Sequence, residues 1–341
     1  MTRPRVYVAY TGGTIGMRRT ERGYRPAPGA LLERLEAMPE LGHEQMPDVE
    51  VVEYVPLLDS SDMRPSDWVR IARDIVERHD AYDGFVVLHG TDTLAYTASA
   101  LSFMLRGLRK PVVVTGSQVP LVELRNDARE NLVNALLIAG TSRIPEVLVS
   151  FGGRLLRGNR AVKVSSDGFD AFDSPNHPVL GRLGTRIEIR HHRIRPADDR
   201  PLALEAVGDA KVGALRLFPG VDAEVLRNVL RPPLQGLVLE CYGVGNAPVS
   251  DEAFLEALAE AAARGVVIVD VSQCLEGRVS LDDYANTRAL RDVGVVSGYD
   301  MTVEAALTKL CYLFERGDPP ERVRELVQLD LRGELTPPED G

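Results

Sequence analysis

Two threonines stand among the glycines of TGGTIG at residues 11–16, directly after the apolar run 6–10. A hydroxyl set where a strand gives way to glycines can meet a small ligand closely, because glycine tolerates backbone conformations and approaches that other residues resist. Thr14 is therefore a candidate nucleophile, and equally a turn or capping residue. A nucleotide site is weakly supported. Thr11 takes the first glycine position of GxGxxG, and no Lys-Ser/Thr pair follows as in a phosphate-binding loop.

Three further stretches carry groups of the same kind. HGTDT at 89–93 sets Thr91 and Asp92 where a strand turns into a helix; capping explains both, and the helix start also offers N–H groups suited to a developing oxyanion. In DSSDM at 59–63, Ser60 and nearby backbone donors suit a ligand carboxylate, while a carboxylate such as Asp59 suits an ammonium. The other reading is again a cap. A hydroxyl nucleophile without histidine needs another base, and Lys163 in RGNRAVKVSSDGFDAF is the candidate, since a desolvated lysine can lose its proton near neutral pH. A solvated surface lysine is the alternative. There is no GxSxG elbow and no HExxH; His89, the one histidine inside a motif, is expected to be structural.

These residues need elements to position them. Short valine-rich runs at 6–10, 85–88, 111–114 and 147–151 alternate with helical spacing, as in Trp68, Ile71, Ala72, Ile75 and Val76, and in the apolar segment 93–105. That alternation predicts an α/β fold with a largely parallel sheet covered on both faces. The candidate motifs follow strand ends, where open parallel sheets bind ligands. The rhythm breaks near 191–211, giving an N-terminal catalytic domain at 1–190, a linker, and a smaller C-terminal α/β domain at 212–341. In the latter, strands are expected at 212–218, 236–240, 265–271 and 293–297, and helices at 251–263 and 302–315.

Composition narrows the function. The 341 residues carry a formal net charge of -10, the wrong sign for a protein that tracks a phosphate backbone, so nucleic acid is not expected as a partner. The basic stretch RIEIRHHRIR at 186–195 reads as an exposed strand. Cys241, Cys274 and Cys311 lie far apart without CxxC spacing, which predicts buried thiols rather than a disulfide framework or zinc site. No apolar run reaches the roughly 18 residues of a membrane helix, and the N-terminus enters a strand without a secretory pattern. No membrane partner and a cytoplasmic location are expected.

TGGTIG, DSSDM, HGTDT, TGSQ, RGNRAVKVSSDGFDAFDSPN and YGVGNAP, in this order and spacing, resemble the bacterial asparaginase/glutaminase family, most closely its cytoplasmic type I branch, over residues 5–331. The branch is suggested by DSSDM where secreted members carry GSQDM. The resemblance implies hydrolysis of L-asparagine to L-aspartate and ammonia, with weak activity on L-glutamine and no cofactor. It matches Thr14 to the nucleophile and Tyr24 to the tyrosine of a mobile loop that helps activate it. Thr91, Asp92 and Lys163 match a second catalytic cluster; Ser60 and Asp92 match residues that grip the substrate's α-carboxylate and α-ammonium. It further implies a homodimer or homotetramer in which a neighbouring subunit's C-terminal domain completes each site, Asn246 being a candidate contributor.

Two competing readings remain. The asparaginase-like subunit of a tRNA-dependent amidotransferase carries an extra domain before TGGT, which here begins at residue 11. A binding module that has lost its chemistry is expected to lack Thr14, Tyr24, Thr91 or Lys163, and all four are present.

Overall fold

The computed structural model describes residues 3–21, 23–205, 208 and 210–337. Contacts divide the chain into two units, Met1–Leu204 and Glu205–Gly341, and the division falls inside the segment read as a linker.

In the first unit β1 (Arg5–Gly12) runs into a short hairpin, β2 (Met17–Thr20) and β3 (Gly23–Pro26). Next come α1 (Ala30–Glu36), β4 (Asp48–Leu58), α2 (Pro65–Arg78), β5 (Gly84–Leu88), α3 (Leu94–Met104), β6 (Leu105–Arg106) and β7 (Val112–Thr115). Then α4 (Ala128–Thr141) leads to β8 (Val147–Phe151) and β9 (Arg154–Arg157). Short strands complete the unit: β10 (Val162–Lys163) pairs with β11 (Phe172–Asp173), β12 (Gly181–Leu183) with β13 (Ile187–Ile189), and β14 (Ala203–Leu204) with β6.

Eight of these strands form one sheet in the order β13-β12-β9-β8-β7-β5-β1-β4. From β4 to β8 it is parallel, as the alternation predicts. Beyond β8 it is antiparallel, because Gly152 and Gly153, with φ of 54° and 71°, turn the chain straight back into β9. A tight turn of this kind can join only antiparallel neighbours; a parallel pair needs a crossover. In the basic stretch only Ile187–Ile189 is a strand, and a 3-10 turn, His191–Arg193, follows it.

Register aligns the strand ends that matter. Gly12 pairs with Leu58, Tyr10 with Leu88, and Leu88 with Thr115, so the loops after β1, β4, β5 and β7 leave the sheet at one level. The strands beneath are buried on both faces. Val6, Val8 and Tyr10 of β1 pack in one core with Val86 and Leu88 of β5 and with Leu132, Leu136 and Ala139 of α4. Residues of the other parity, Tyr7, Phe85 and Val87, are equally buried. The α2 stripe follows the sequence expectation, with Trp68, Ile71, Ala72 and Ile75 buried.

The second unit runs β15 (Val212–Arg216), α5 (Ala223–Val229), β16 (Gly236–Cys241), α6 (Glu252–Ala263), β17 (Val267–Ser272), α7 (Ala285–Asp292), β18 (Val295–Ser297), α8 (Val303–Glu315) and α9 (Pro320–Val327). Its four strands are parallel, in the order β15-β16-β17-β18. Cys241 and Cys311 are buried thiols, whereas Cys274, expected to be buried, is exposed where the chain leaves β17. Among the described residues no helix is long and apolar enough to cross a membrane.

A fully buried ion pair ties down the end of this unit. Lys309 of α8 meets Glu334 at 2.5 Å and donates to the carbonyls of Val327 and Leu329; Glu334 accepts from the amides of Leu331 and Arg332. Removing one partner strands the other charge in the core, which typically costs about 3–5 kcal/mol. Denaturant unfolding of Glu334→Ala is expected to show a loss of that order, and a change below about 1 kcal/mol would contradict it.

Candidate active site

Three turns converge at the level where the strands end. Gly13 has a φ of 91°, and a β-carbon on it would lie 2.5 Å from Gly90 Cα. One on Gly90 would lie 2.7 Å from Ser60 Cβ. Only glycines permit this approach. It brings the turn carrying Thr14, the segment carrying Thr91 and Asp92, and Ser60 into one cluster. Thr11, which breaks the nucleotide fingerprint, donates from Oγ1 to the Leu88 carbonyl at 2.8 Å and pins β1 to β5 beneath the turn. Thr14 opens the 3-10 turn Thr14–Gly16 and is half-buried.

Lys163 organises the second cluster. Its Nζ donates to Thr91 Oγ1 at 2.9 Å and to Asp92 Oδ1 at 2.8 Å. With its side chain only 21% exposed, it is no solvated surface lysine. Thr91, itself buried, donates to Gln118 Oε1 at 3.2 Å. Capping does not account for Thr91 and Asp92, because α3 begins at Leu94 with Thr93 as its N-cap residue. Thr93 instead bonds the Ser60 carbonyl at 2.7 Å, adding a second tie between the DSSDM and HGTDT segments.

The remaining candidates sit differently. Asp59 is exposed and its Oδ1 accepts from the backbone and hydroxyl of Ser61, so this carboxylate caps its own turn. Tyr24 lies on exposed β3, where its hydroxyl donates to Glu123 Oε1 at 2.7 Å. That bond is the main cause raising the pKa of the phenol. Asn246 belongs to the second unit, in a turn closed by hydrogen bonds between Asn246 and Tyr242. Buried Asp270 lies beneath that turn, 2.7 Å from where a β-carbon on Gly245 would sit; burial pushes its carboxyl up to about 7.

Sequence reasoning missed the residues that hold the loop after β7. Asp127 accepts from the amides of Gln118 and Val119 and from Asn131 Nδ2, while Asn131 also bonds the Gly116 carbonyl and the Gly152 amide. The visible signal was a polar NDAREN opening an otherwise apolar helix. Among the described residues no group of three or more His, Cys, Asp or Glu side chains could hold a metal ion.

His89 is structural, as expected. It is buried, its Nδ1 donates to the Gly90 carbonyl at 2.7 Å, and its Nε2 accepts from the Thr97 hydroxyl, whose oxygen accepts from Trp68 Nε1. The imidazole thus holds the residue that Gly13 packs against.

Comparison with known proteins follows the same lines. The family described as Asparaginase, N-terminal, matches residues 5–195, and the Glutaminase/Asparaginase C-terminal domain matches 211–327. The chain is 51% identical over 337 residues to L-asparaginase 1 of Escherichia coli (strain K12), covering 99% of each. Among solved structures it resembles L-asparaginase I from Vibrio cholerae O1 biovar eltor str. N16961, at 46% identity and a TM-score of 0.91 over 98% of this chain and 100% of that one. The thermostable L-asparaginase from Thermococcus kodakarensis superposes with a TM-score of 0.88 at 36% identity, covering 97% and 99%.

Burial lowers the pKa of His89 from an ordinary 6.5 to about 4. Between those values the unfolded chain takes up a proton that the folded one refuses, so stability falls as pH drops from about 6.5 to 4, by up to roughly 3 kcal/mol. Unfolding midpoints across that range are expected to decline less steeply in His89→Gln than in the wild type. Equal slopes would contradict the assignment.

Proposed function

We propose that this chain, which belongs to the asparaginase family, hydrolyses the side-chain amide of L-asparagine to L-aspartate and ammonia. One observation carries the reading: Lys163 bridges Thr91 and Asp92 directly beside the Gly13–Gly90 contact that presents Thr14. Two hydroxyls, a lysine and a carboxylate in one cluster, with buried Ser60 alongside, form a site for acyl transfer on a small zwitterion.

In the proposed reaction Thr14 Oγ1 attacks the amide carbon, and as the tetrahedral oxyanion forms its hydroxyl proton passes to the amide nitrogen. Backbone N–H groups near Thr91 stabilise that oxyanion. The C–N bond then breaks, the amine leaves as ammonia with the proton it takes up, and water hydrolyses the aspartyl ester to release Thr14. The hydrogen-bond pattern favours Thr14 over Thr91 as the attacking group. Thr91 is engaged on both sides, by Lys163 at 2.9 Å and by Gln118 at 3.2 Å, which suits a positioned partner more than a free attacking hydroxyl. Asp92, largely exposed beside Lys163, is assigned to the substrate ammonium, and Ser60 with nearby amides to its carboxylate.

The same proposal includes a catalytic domain at 1–190, a linker at 191–211 and a C-terminal domain at 212–341. It also includes a cytoplasmic setting, supported by three free cysteines and by the DSSDM form of the motif, and a homodimer or homotetramer in which Asn246 reaches a neighbouring subunit's site. Ammonia release from L-asparagine and L-glutamine tests the activity. Thr14→Ala is expected to lower turnover by about three powers of ten or more while the melting temperature holds. Near-normal turnover in that variant would remove Thr14 as nucleophile.

A further inference from the structure

The β2–β3 hairpin has little to hold it in place. All four residues of β3 are exposed, and of β2 only Met17 is partly covered. An isolated hairpin without an apolar face is marginal in water, so side chains must fix this one. Two do. Arg18 pairs with Glu33 of α1, and Tyr24 donates to Glu123. The first is an exposed ion pair, of a kind worth little. The second ends on a braced loop. Leu121 of that loop bonds its amide to the Ile15 carbonyl at 3.1 Å, one residue beyond Thr14. Asp127 clamps Gln118 and Val119, Gln118 touches Thr91, and Asn126 bonds the Glu123 carbonyl at 2.6 Å. The loop therefore joins both catalytic clusters and presents Glu123 at its outer edge.

We propose that Glu123 is a positioning residue, a latch that holds the β2–β3 hairpin, and with it Tyr24, beside the Thr14 turn. β3 already packs against the turn Thr14–Gly16, and the Tyr24–Glu123 bond fixes the ring in that place. Glu123 touches neither Thr14 nor the Thr91 cluster; it acts through Tyr24. Its carboxylate raises the pKa of the phenol, so Tyr24 stays the donor. The inference rests on the assignment of Thr14 and Tyr24 to the asparaginase reaction, yet part of it is testable without activity.

The test compares wild type, Glu123→Ala, Glu123→Gln, Tyr24→Phe and the Glu123→Ala/Tyr24→Phe double variant. Turnover of L-asparagine, melting temperature and the rate of trypsin cleavage after Arg19 are measured for each. Glu123→Ala is expected to lower kcat by roughly 10²-fold, the scale of a misplaced catalytic group, with little change in melting temperature. Glu123→Gln should recover most of the loss, since its amide oxygen still accepts from the phenol. The double variant should be no worse than Tyr24→Phe alone. Hairpin cleavage should quicken in Glu123→Ala and Tyr24→Phe but not in Glu123→Gln. Losses that multiply in the double variant, a Glu123→Gln variant as slow as Glu123→Ala, or unchanged cleavage would each overturn the latch. A wild type that releases no ammonia would sink the asparaginase reading instead, and the cleavage rates would still decide the latch.

Discussion

Everything chemical in this protein depends on how closely three turns approach one another. Gly13 lies against Gly90, Gly90 lies against Ser60, and neither interval leaves room for a methyl group. Hydroxyls that are far apart in sequence meet because the backbone between them has been stripped of side chains. The sheet makes the approach possible by ending β1, β4, β5 and β7 at one level. His89 then fixes the Gly90 carbonyl from below, in a chain that runs through Thr97 to Trp68 on α2. The packing of an amphipathic helix is thereby linked, bond by bond, to the position of the reacting turn.

The loop after β7 plays a second part. It is irregular, yet it is held by Asp127 and Asn131 on one side and by Ile15 on the other. Such a loop behaves as a rigid element, and a site built against it keeps its geometry. The hairpin carrying Tyr24 is its opposite, exposed along nearly its whole length and tethered among the described residues through Tyr24. A rigid cluster faced by a weakly held flap suits an enzyme that must admit a small polar substrate and then exclude water.

Much of this was legible in the sequence wherever local pattern decides structure. The α2 stripe and the valine runs are set by burial against a sheet, and they fall where periodicity places them. The antiparallel edge was not legible, because Gly152 and Gly153 look the same whether they line a site or reverse the chain. Thr91 and Asp92 read equally well as caps, and what distinguishes them is Lys163, more than 70 residues away, which no local pattern can pair with them. Gln118 and Asp127 stood out only as parts of the TGSQ and NDAREN stretches, and Glu123 gave no signal of its own; their roles exist only once the loop has folded back on both clusters. Tyr24 was identified through the family resemblance alone, and the structure adds the partner that holds it.

The covalent mechanism stands or falls on which oxygen carries the acyl group. Acid quenching during turnover of L-asparagine, followed by peptide mass analysis, would locate an aspartyl ester. That added mass is expected on the peptide containing Thr14 and none on the peptide containing Thr91. An ester on Thr91, with Thr14 unmodified, would contradict it.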